Sequence, residues 1–346
     1  MSNSILFLGP RIGNQKNIGG IVVLFEDLID YCDKGALNYI VIDTNLSNYS
    51  NFVFGLISIS FKFIRNVNKV KHISLHGSAR DYIYLAPFVL IVSKIFKKKI
   101  SLRKFAGSFY EIYLNSNFFK KKIIGFILNN SDYLFFETKF LVDKFKSFND
   151  NTFWWPNSRP KTNLLISGSF NKKFVFISQV KKTKGIYEFI NAASKLDNSF
   201  VFDIYGPIFN PEIKLKISEN FNINYKGIIS PSEVLMTLMS YDVLVLPTYH
   251  DGEGYPGIIL EAFSIGMPVI STKWNSIPEI VSHNENGILV PIKDVDCLTQ
   301  EILNFNQNKY NKLRINAISS FDEFDSELVN YNFFKKINLI EKCLIN

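Results

Sequence analysis

The stretch "HDGEGYPGIILEAFSIGMPVIST", residues 250–272, sets Glu253 and Glu261 eight positions apart around a Pro–Gly pair. Pro256 and Gly257 suit a helix start, Gly266 its C-terminal stop, and Pro268 prevents continuation. Glu253 is then expected in the loop before the helix and Glu261 one turn inside it. Both lie near N-terminal amides, whose free N–H groups and positive dipole end attract a diphosphate, while a carboxylate accepts hydrogen bonds from vicinal hydroxyls such as those of a ribose. The two carboxylates therefore need not be an acid and a base. One can hold a sugar and the other a ribose, with a diphosphate between them. A charge favourable to the first helical turn would explain Glu261 alone and leaves Glu253 unaccounted for.

Two further loops have phosphate-binding chemistry. "SQVKKTKG", 178–185, places Lys181, Lys182 and Lys184 at a strand-to-helix turn, with Gly185 relaxing the entry. A solvated basic turn would read the same way. In "NIGG", 17–20, Gly19 and Gly20 let backbone approach a ligand at a helix start, or simply serve a flexible turn. Gly9, Gly13, Gly19 and Gly20 do not make the dinucleotide fingerprint GxGxxG, which disfavours a nicotinamide oxidoreductase.

The elements that position these loops alternate short apolar runs with longer helical ones, the pattern of parallel α/β layers. Strands are expected at 5–9, 39–43, 72–76, 99–105, 133–137 and 151–156, with helices at 21–31 and near 81–96, 118–129 and 138–148. A polar, proline-bracketed stretch to about 172 reads as a linker. The alternation restarts with strands at 173–180, 200–206, 223–227, 241–247, 267–272 and 287–291, and a long helical pattern closes the chain. This implies an α/β fold of two Rossmann-like domains, 1–160 and 161–325, facing a central cleft, with a C-terminal helix at about 326–346 packing back on the first domain. Ligands in such sheets bind outside the carboxyl ends of the strands.

Glu253 and Glu261, followed by "AFSIGMPVISTKWNSIPEIV" and "NGILVP", resemble the nucleotide-sugar site of retaining family 4 glycosyltransferases, which have the two-Rossmann-domain GT-B fold. The resemblance extends to the Gly19–Gly20 loop, the Asn157 turn, Lys184–Gly185, "YKGIIS" (225–230) and "YDVLVLPTYHDGEGYPGIILEA" (241–262). It implies transfer of a sugar from a nucleotide diphosphate sugar to an acceptor hydroxyl, with retention of anomeric configuration and no metal or other cofactor. It places Glu261 on the ribose, Glu253 as the catalytic-site residue near the donor sugar, and Lys184 with the Gly19 and Gly20 amides on the diphosphate. Gly254, Tyr255, Pro256, Gly257 and Ile258 complete the donor-binding turn. Two positions depart from the pattern. Gln179 stands where the family usually has an arginine, with Lys181 or Lys182 able to compensate, and Ala106 stands near a customary first-domain histidine, leaving Arg103, Lys104 or Ser108 to face the donor from the cleft edge. The alternatives are a sugar-nucleotide epimerase on the same scaffold and a catalytically silent membrane-associated subunit.

Composition narrows the setting. The 346 residues, 47% hydrophobic and 20% charged, suit a globular chain. Cys32, Cys297 and Cys343 form no disulfide or CxxC pattern, which favours a reducing cytoplasm, and the scattered histidines disfavour a metal site. The N-terminus lacks a signal-peptide pattern. The apolar runs 51–61 and 82–96 are too short to span a bilayer and are expected to be buried. Residues 1–170 carry 22 Lys and Arg against 11 Asp and Glu, residues 171–346 17 against 20. The basic runs 94–104 and 118–122 suit an anionic inner-membrane surface, or are solvated loop ends. No motif accompanies them that would indicate nucleic acid. The expected partners are a nucleotide-sugar donor, a saccharide or lipid-linked saccharide acceptor of surface polysaccharide (capsule, O-antigen or lipopolysaccharide) synthesis, and the membrane face.

Overall fold

A computed structural model describes residues 4–13 and 20–339; Gly19 and Cys343 fall outside them. The chain forms two compact units. The described residues up to Ser158, with those from Ser326 on, make the first, and Arg159–Asp325 make the second.

In the first unit, β1 (Ile5–Gly9), β2 (Tyr39–Asp43), β3 (His72–Gly77), β4 (Lys99–Lys104), β5 (Tyr133–Phe136) and β6 (Thr152–Trp154) form a parallel sheet in the order β2-β1-β3-β4-β5-β6. Most of these strands are buried along their length, because helices cover both faces, and so they read as continuous rather than alternating apolar runs. On one face, helices Phe52–Val67, Ala86–Ile95 and Phe118–Asn130 send Ile59, Phe63, Val89, Ile124 and Ile127 into a single core. On the other, helices Gly20–Lys34 and Ser326–Lys336 pack Phe25, Leu28, Val329 and Phe333 into a second core. The Phe333 ring stacks on Trp155 at 3.9 Å, so the described part of the C-terminal helix belongs to the first unit's core.

In the second unit, β7 (Lys173–Ile177), β8 (Val201–Tyr205), β9 (Ile223–Gly227), β10 (Val243–Leu246), β11 (Val269–Thr272) and β12 (Gly287–Val290) are parallel in the order β12-β11-β10-β7-β8-β9. Connections after β7 run outward one way and those after β10 the other. The strand order reverses between these two central neighbours, and loops diverging from such a point leave a crevice at the strands' carboxyl ends.

Three expectations change. The helical pattern near 81–96 is two helices, Ala79–Tyr84 and Ala86–Ile95, with Pro87 in the first turn of the second, where its missing N–H costs nothing. The run 51–61 is not buried throughout. Helix Phe52–Val67 buries Gly55, Ile59, Phe63 and Val67 but leaves Ile57 62% and Phe61 66% exposed, because one stripe of a helix suffices to cover the sheet. The stretch after Ser158 is not a free linker. Ile166 is buried and its N–H donates to the Ile265 carbonyl, while Arg159 forms a parallel bridge with Asp325. No described helix is long and apolar enough to cross a membrane.

Candidate functional site

The loops after β7 and β10 meet at the second unit's reversal point. The first closes in a short 3-10 turn, Lys182–Lys184, and Gly185 then starts helix Ile186–Ala193. Gly185 has φ +81°, and a Cβ there would lie 2.1 Å from the Pro247 carbonyl oxygen, so the β7 loop can lie against the β10 loop only with glycine here. That approach aligns backbones: the Tyr249 N–H donates to the Thr183 carbonyl at 2.8 Å.

The contact brings Lys184 to Glu253. Lys184 Nζ lies 2.5 Å from Glu253 Oε2, and both side chains are largely buried, at 13% and 9% exposure. Thr248 Oγ1 donates to the same carboxylate oxygen at 2.9 Å. The Glu253 loop is held from below by Trp274 Nε1, which donates to the His250 carbonyl at 2.9 Å, and by Asn275, whose amide donates to the Asp251 carbonyl at 3.0 Å. A buried ion pair braced on three sides is costly unless well satisfied, and its retention here fixes one carboxylate and one ammonium at a defined place. An ammonium has three donors, so Lys184 can hold Glu253 and an anionic oxygen at once.

Lys181 belongs to the same cluster. Burial lowers its pKa, with the charge of Lys184 adding to that and Glu253 opposing it. His250 is likewise held below its ordinary value, first by burial and then by Lys184 and Lys181, so its imidazole is neutral near pH 7. The structure does not bring Gln179 or Lys182 into this contact: both are exposed. The charge of Lys182 is felt instead by Glu188, a buried carboxyl in the next helix whose Oε2 has no hydrogen-bond partner among the described residues and whose pKa is raised by burial.

Helix Gly257–Ser264 starts after Pro256 and presents its N-terminus beside Glu253 in sequence. Tyr255 is buried, with its hydroxyl donating to Glu279 at 2.5 Å and its ring edge-on to Phe324. It anchors the Gly254–Pro256 turn. Glu261 is held by a residue that sequence reasoning passed over: Arg159 Nε donates to Glu261 Oε1 at 2.6 Å. The guanidinium lies so close to the helix start that a Cβ at Gly257 would be 1.9 Å from Arg159 Nη2. Arg159 and Glu261 are 102 positions apart, and only the fold joins them.

In the first unit Gly20 begins helix Gly20–Lys34, and among the described residues nothing lies within 4 Å of a Cβ built on it. The expected edge residues are placed differently. Arg103 is buried, donating to the Pro156 carbonyl at 3.1 Å with its guanidinium 3.9 Å over the Trp155 ring, and burial lowers its pKa to about 9. Lys104 is buried, donating to the Phe105 carbonyl, with its pKa lowered to about 8, again by burial. Both sit at the carboxyl end of β4, which is buried from Ile100 onward. Ser108 precedes helix Phe109–Leu114 at its N-cap position, with no capping hydrogen bond from its side chain among the described residues, and is partly exposed. Ala106 takes φ +74°, a left-handed conformation costly for a side chain, and its N–H donates to the buried Glu137 carboxylate at 2.8 Å. Asn157 donates to the other Glu137 oxygen at 2.9 Å. Glu137, also missed in the sequence, organises this loop.

Known proteins are similar to parts of this chain and to its fold. Residues 171–308 match the family "Glycosyl transferases group 1". A putative colanic acid biosynthesis glycosyltransferase, WcaL of Escherichia coli K12, is 31% identical over 147 residues, 39% of this chain and 36% of that protein. An amylovoran biosynthesis glycosyltransferase, AmsK of Erwinia amylovora, is 34% identical over 87 residues, 24% of this chain and 21% of that protein. The chain thus spans 36% and 21% of the length of these two curated relatives. The Anabaena Alr3699/HepE structure, in complex with UDP and glucose, superposes with a TM-score of 0.74 over 97% of this chain and 99% of that one, at 14% identity. The epimerase reading finds no support among these relatives. Residues 171–308 are a group 1 glycosyl transferase domain, carried by a chain with the two-Rossmann-domain fold of GT-B type.

Proposed function

We propose that this chain is a retaining glycosyltransferase that moves a sugar from a nucleotide diphosphate sugar to an acceptor hydroxyl in surface polysaccharide synthesis. The observation that carries the reading is the Lys184–Glu253 pair, fixed where the second sheet's strand order reverses, beside the start of helix Gly257–Ser264. Lys184, Lys181 and the helix N-terminal amides take the diphosphate. Charge that develops on the leaving phosphate is met by these preorganised groups, and the proposal assigns no step to a metal ion. Glu261, oriented by Arg159, accepts from the ribose hydroxyls, and Glu253 accepts from hydroxyls of the donor sugar. The departing phosphate takes the acceptor's proton on the same face, which retains the anomeric configuration. The colanic acid and amylovoran relatives support a saccharide acceptor, which we infer to be lipid-linked, selected by the first unit and reached by a protein peripheral to the inner membrane on its cytoplasmic side.

The test is a mass-spectrometric screen of the purified chain against nucleotide sugars, with and without lipid-linked saccharides. One donor should be consumed, with slow hydrolysis when the acceptor is omitted. Glu253→Gln should remove turnover while UDP still binds. A chain that binds UDP but consumes no donor in any combination would instead be the silent subunit.

A further inference from the structure

Helix Phe52–Val67 is apolar on both sides. Opposite its buried stripe it carries Val53, Phe54, Ile57, Phe61 and Ile64, which are 49–66% exposed. Their spacing of three and four puts them on one outward face, where a helix packed on a sheet ordinarily carries polar residues. The face continues onto its neighbours. The Phe52 ring meets the Tyr84 ring at 6.0 Å. Helix Ala86–Ile95 packs into the same core from the same side of the sheet and turns Ile91 and Ile95 outward, 49% and 69% exposed. A contiguous apolar surface of this kind marks an interaction site.

The charge around it is mainly basic. Residues 51–110 contain eleven Lys and Arg and a single acidic residue, Asp81, which is engaged in capping helix Ala79–Tyr84. Lys98 Nζ reaches the Asn68 carbonyl at 3.4 Å and so ties the C-terminal ends of the two helices together. Lys62, Arg65, Lys69 and Lys97 are exposed around that junction. Lys94 and Lys99 are also exposed, and both are paired with Asp132.

We infer that this face docks on an anionic phospholipid bilayer, with Phe54, Ile57 and Phe61 entering the acyl boundary and the flanking Lys and Arg meeting lipid phosphates. Apolar residues together with a rim in which Lys and Arg outnumber carboxylates match that occupant. A second copy would bring two like-charged rims together, and like charges across an interface oppose it. The inference deepens the peripheral-membrane part of the proposed function and rests on it, yet it uses none of the donor-site residues.

The test is co-sedimentation of the full chain with extruded vesicles, either phosphatidylcholine alone or equal parts phosphatidylcholine and phosphatidylglycerol, with UDP affinity measured on the same samples. The wild type should pellet with the anionic vesicles and not with the neutral ones. Ile57→Glu with Phe61→Glu should lower partitioning about tenfold or more, because charge replaces inserted apolar area, while Phe61→Leu should retain it. All these positions are exposed, so unchanged UDP affinity reports an intact fold. The docking face is overturned if the anionic vesicles pellet nothing, if the double variant pellets like the wild type, or if the wild type is a dimer that Phe61→Glu dissolves. Vesicle binding without UDP affinity would leave the docking face standing and sink the transferase reading; UDP affinity without vesicle binding would do the reverse.

Discussion

The two units use similar parallel sheets to opposite ends. In the second, cations near the site are matched with carboxylates: Lys184 with Glu253, and Arg159 with Glu261. In the first, the buried cations Arg103 and Lys104 donate to backbone carbonyls and lie over aromatic rings, and its outer helices carry exposed Phe and Ile among exposed Lys and Arg. Where a cation stands beside a carboxylate at a strand reversal, the geometry is that of a polar ligand site. Where cations are sunk among rings they are structural, and where they fringe an apolar face they are suited to a surface. The same residue types thus serve chemistry, packing and docking, separated by their partners.

The strongest way to break this contrast is Lys184→Ala. Removing one partner leaves the largely buried Glu253 charge unpaired, which should cost about 3–5 kcal/mol of stability in the second unit. Lys184→Met with Glu253→Gln should recover much of that stability in urea unfolding but none of the donor turnover. If the double variant turned over donor, the pair would be structural only.

Next is acid sensitivity, which should belong to the first unit. Burial lowers the pKa of His72 to about 3 and that of His76 well below its ordinary value, so both are neutral when folded. The unfolded chain protonates them below about pH 6.5, so their contribution to stability is constant above that value and falls as the pH drops towards 3. For His72 the loss at pH 5 should be about 2 kcal/mol. Hydrogen exchange resolved by unit should show the first opening before the second as the pH is lowered.

Smaller effects sharpen the donor site. Gly257→Ala displaces the Arg159 guanidinium from the helix start, and Arg159→Ala removes it. Each should weaken UDP binding about tenfold, and the double variant should be no weaker than either alone, since residues in direct contact do not add. Additive losses in titration calorimetry would separate Arg159 from Glu261. Smallest is the lysine pair: Lys181→Ala should weaken UDP about fivefold and Lys182→Ala hardly at all, because only Lys181 shares the field of Lys184 and Glu253.

Much of this was legible in the sequence where it was local. Pro256, Gly257 and Gly266 punctuate a helix whose bounds follow from turn chemistry, and Gly185 marks a close backbone approach. What was not legible depends on distant contacts. The Arg159–Glu261 pair leaves no local pattern, and neither does the Glu137 carboxylate that holds Ala106 and Asn157. The burial of Arg103 and Lys104 was not legible either, because strand alternation cannot say that both faces of β4 are covered at its carboxyl end. The outward face of helix Phe52–Val67 was missed for the converse reason: an all-apolar run looks the same whether one side is buried or both.

The central claim is that the second unit's reversal point holds a nucleoside diphosphate. A crystal structure grown with UDP tests it most directly. The account predicts phosphate oxygens on Lys184 and the first amides of helix Gly257–Ser264, with the ribose hydroxyls on Glu261. UDP bound elsewhere, or its ribose held without Glu261, would contradict it.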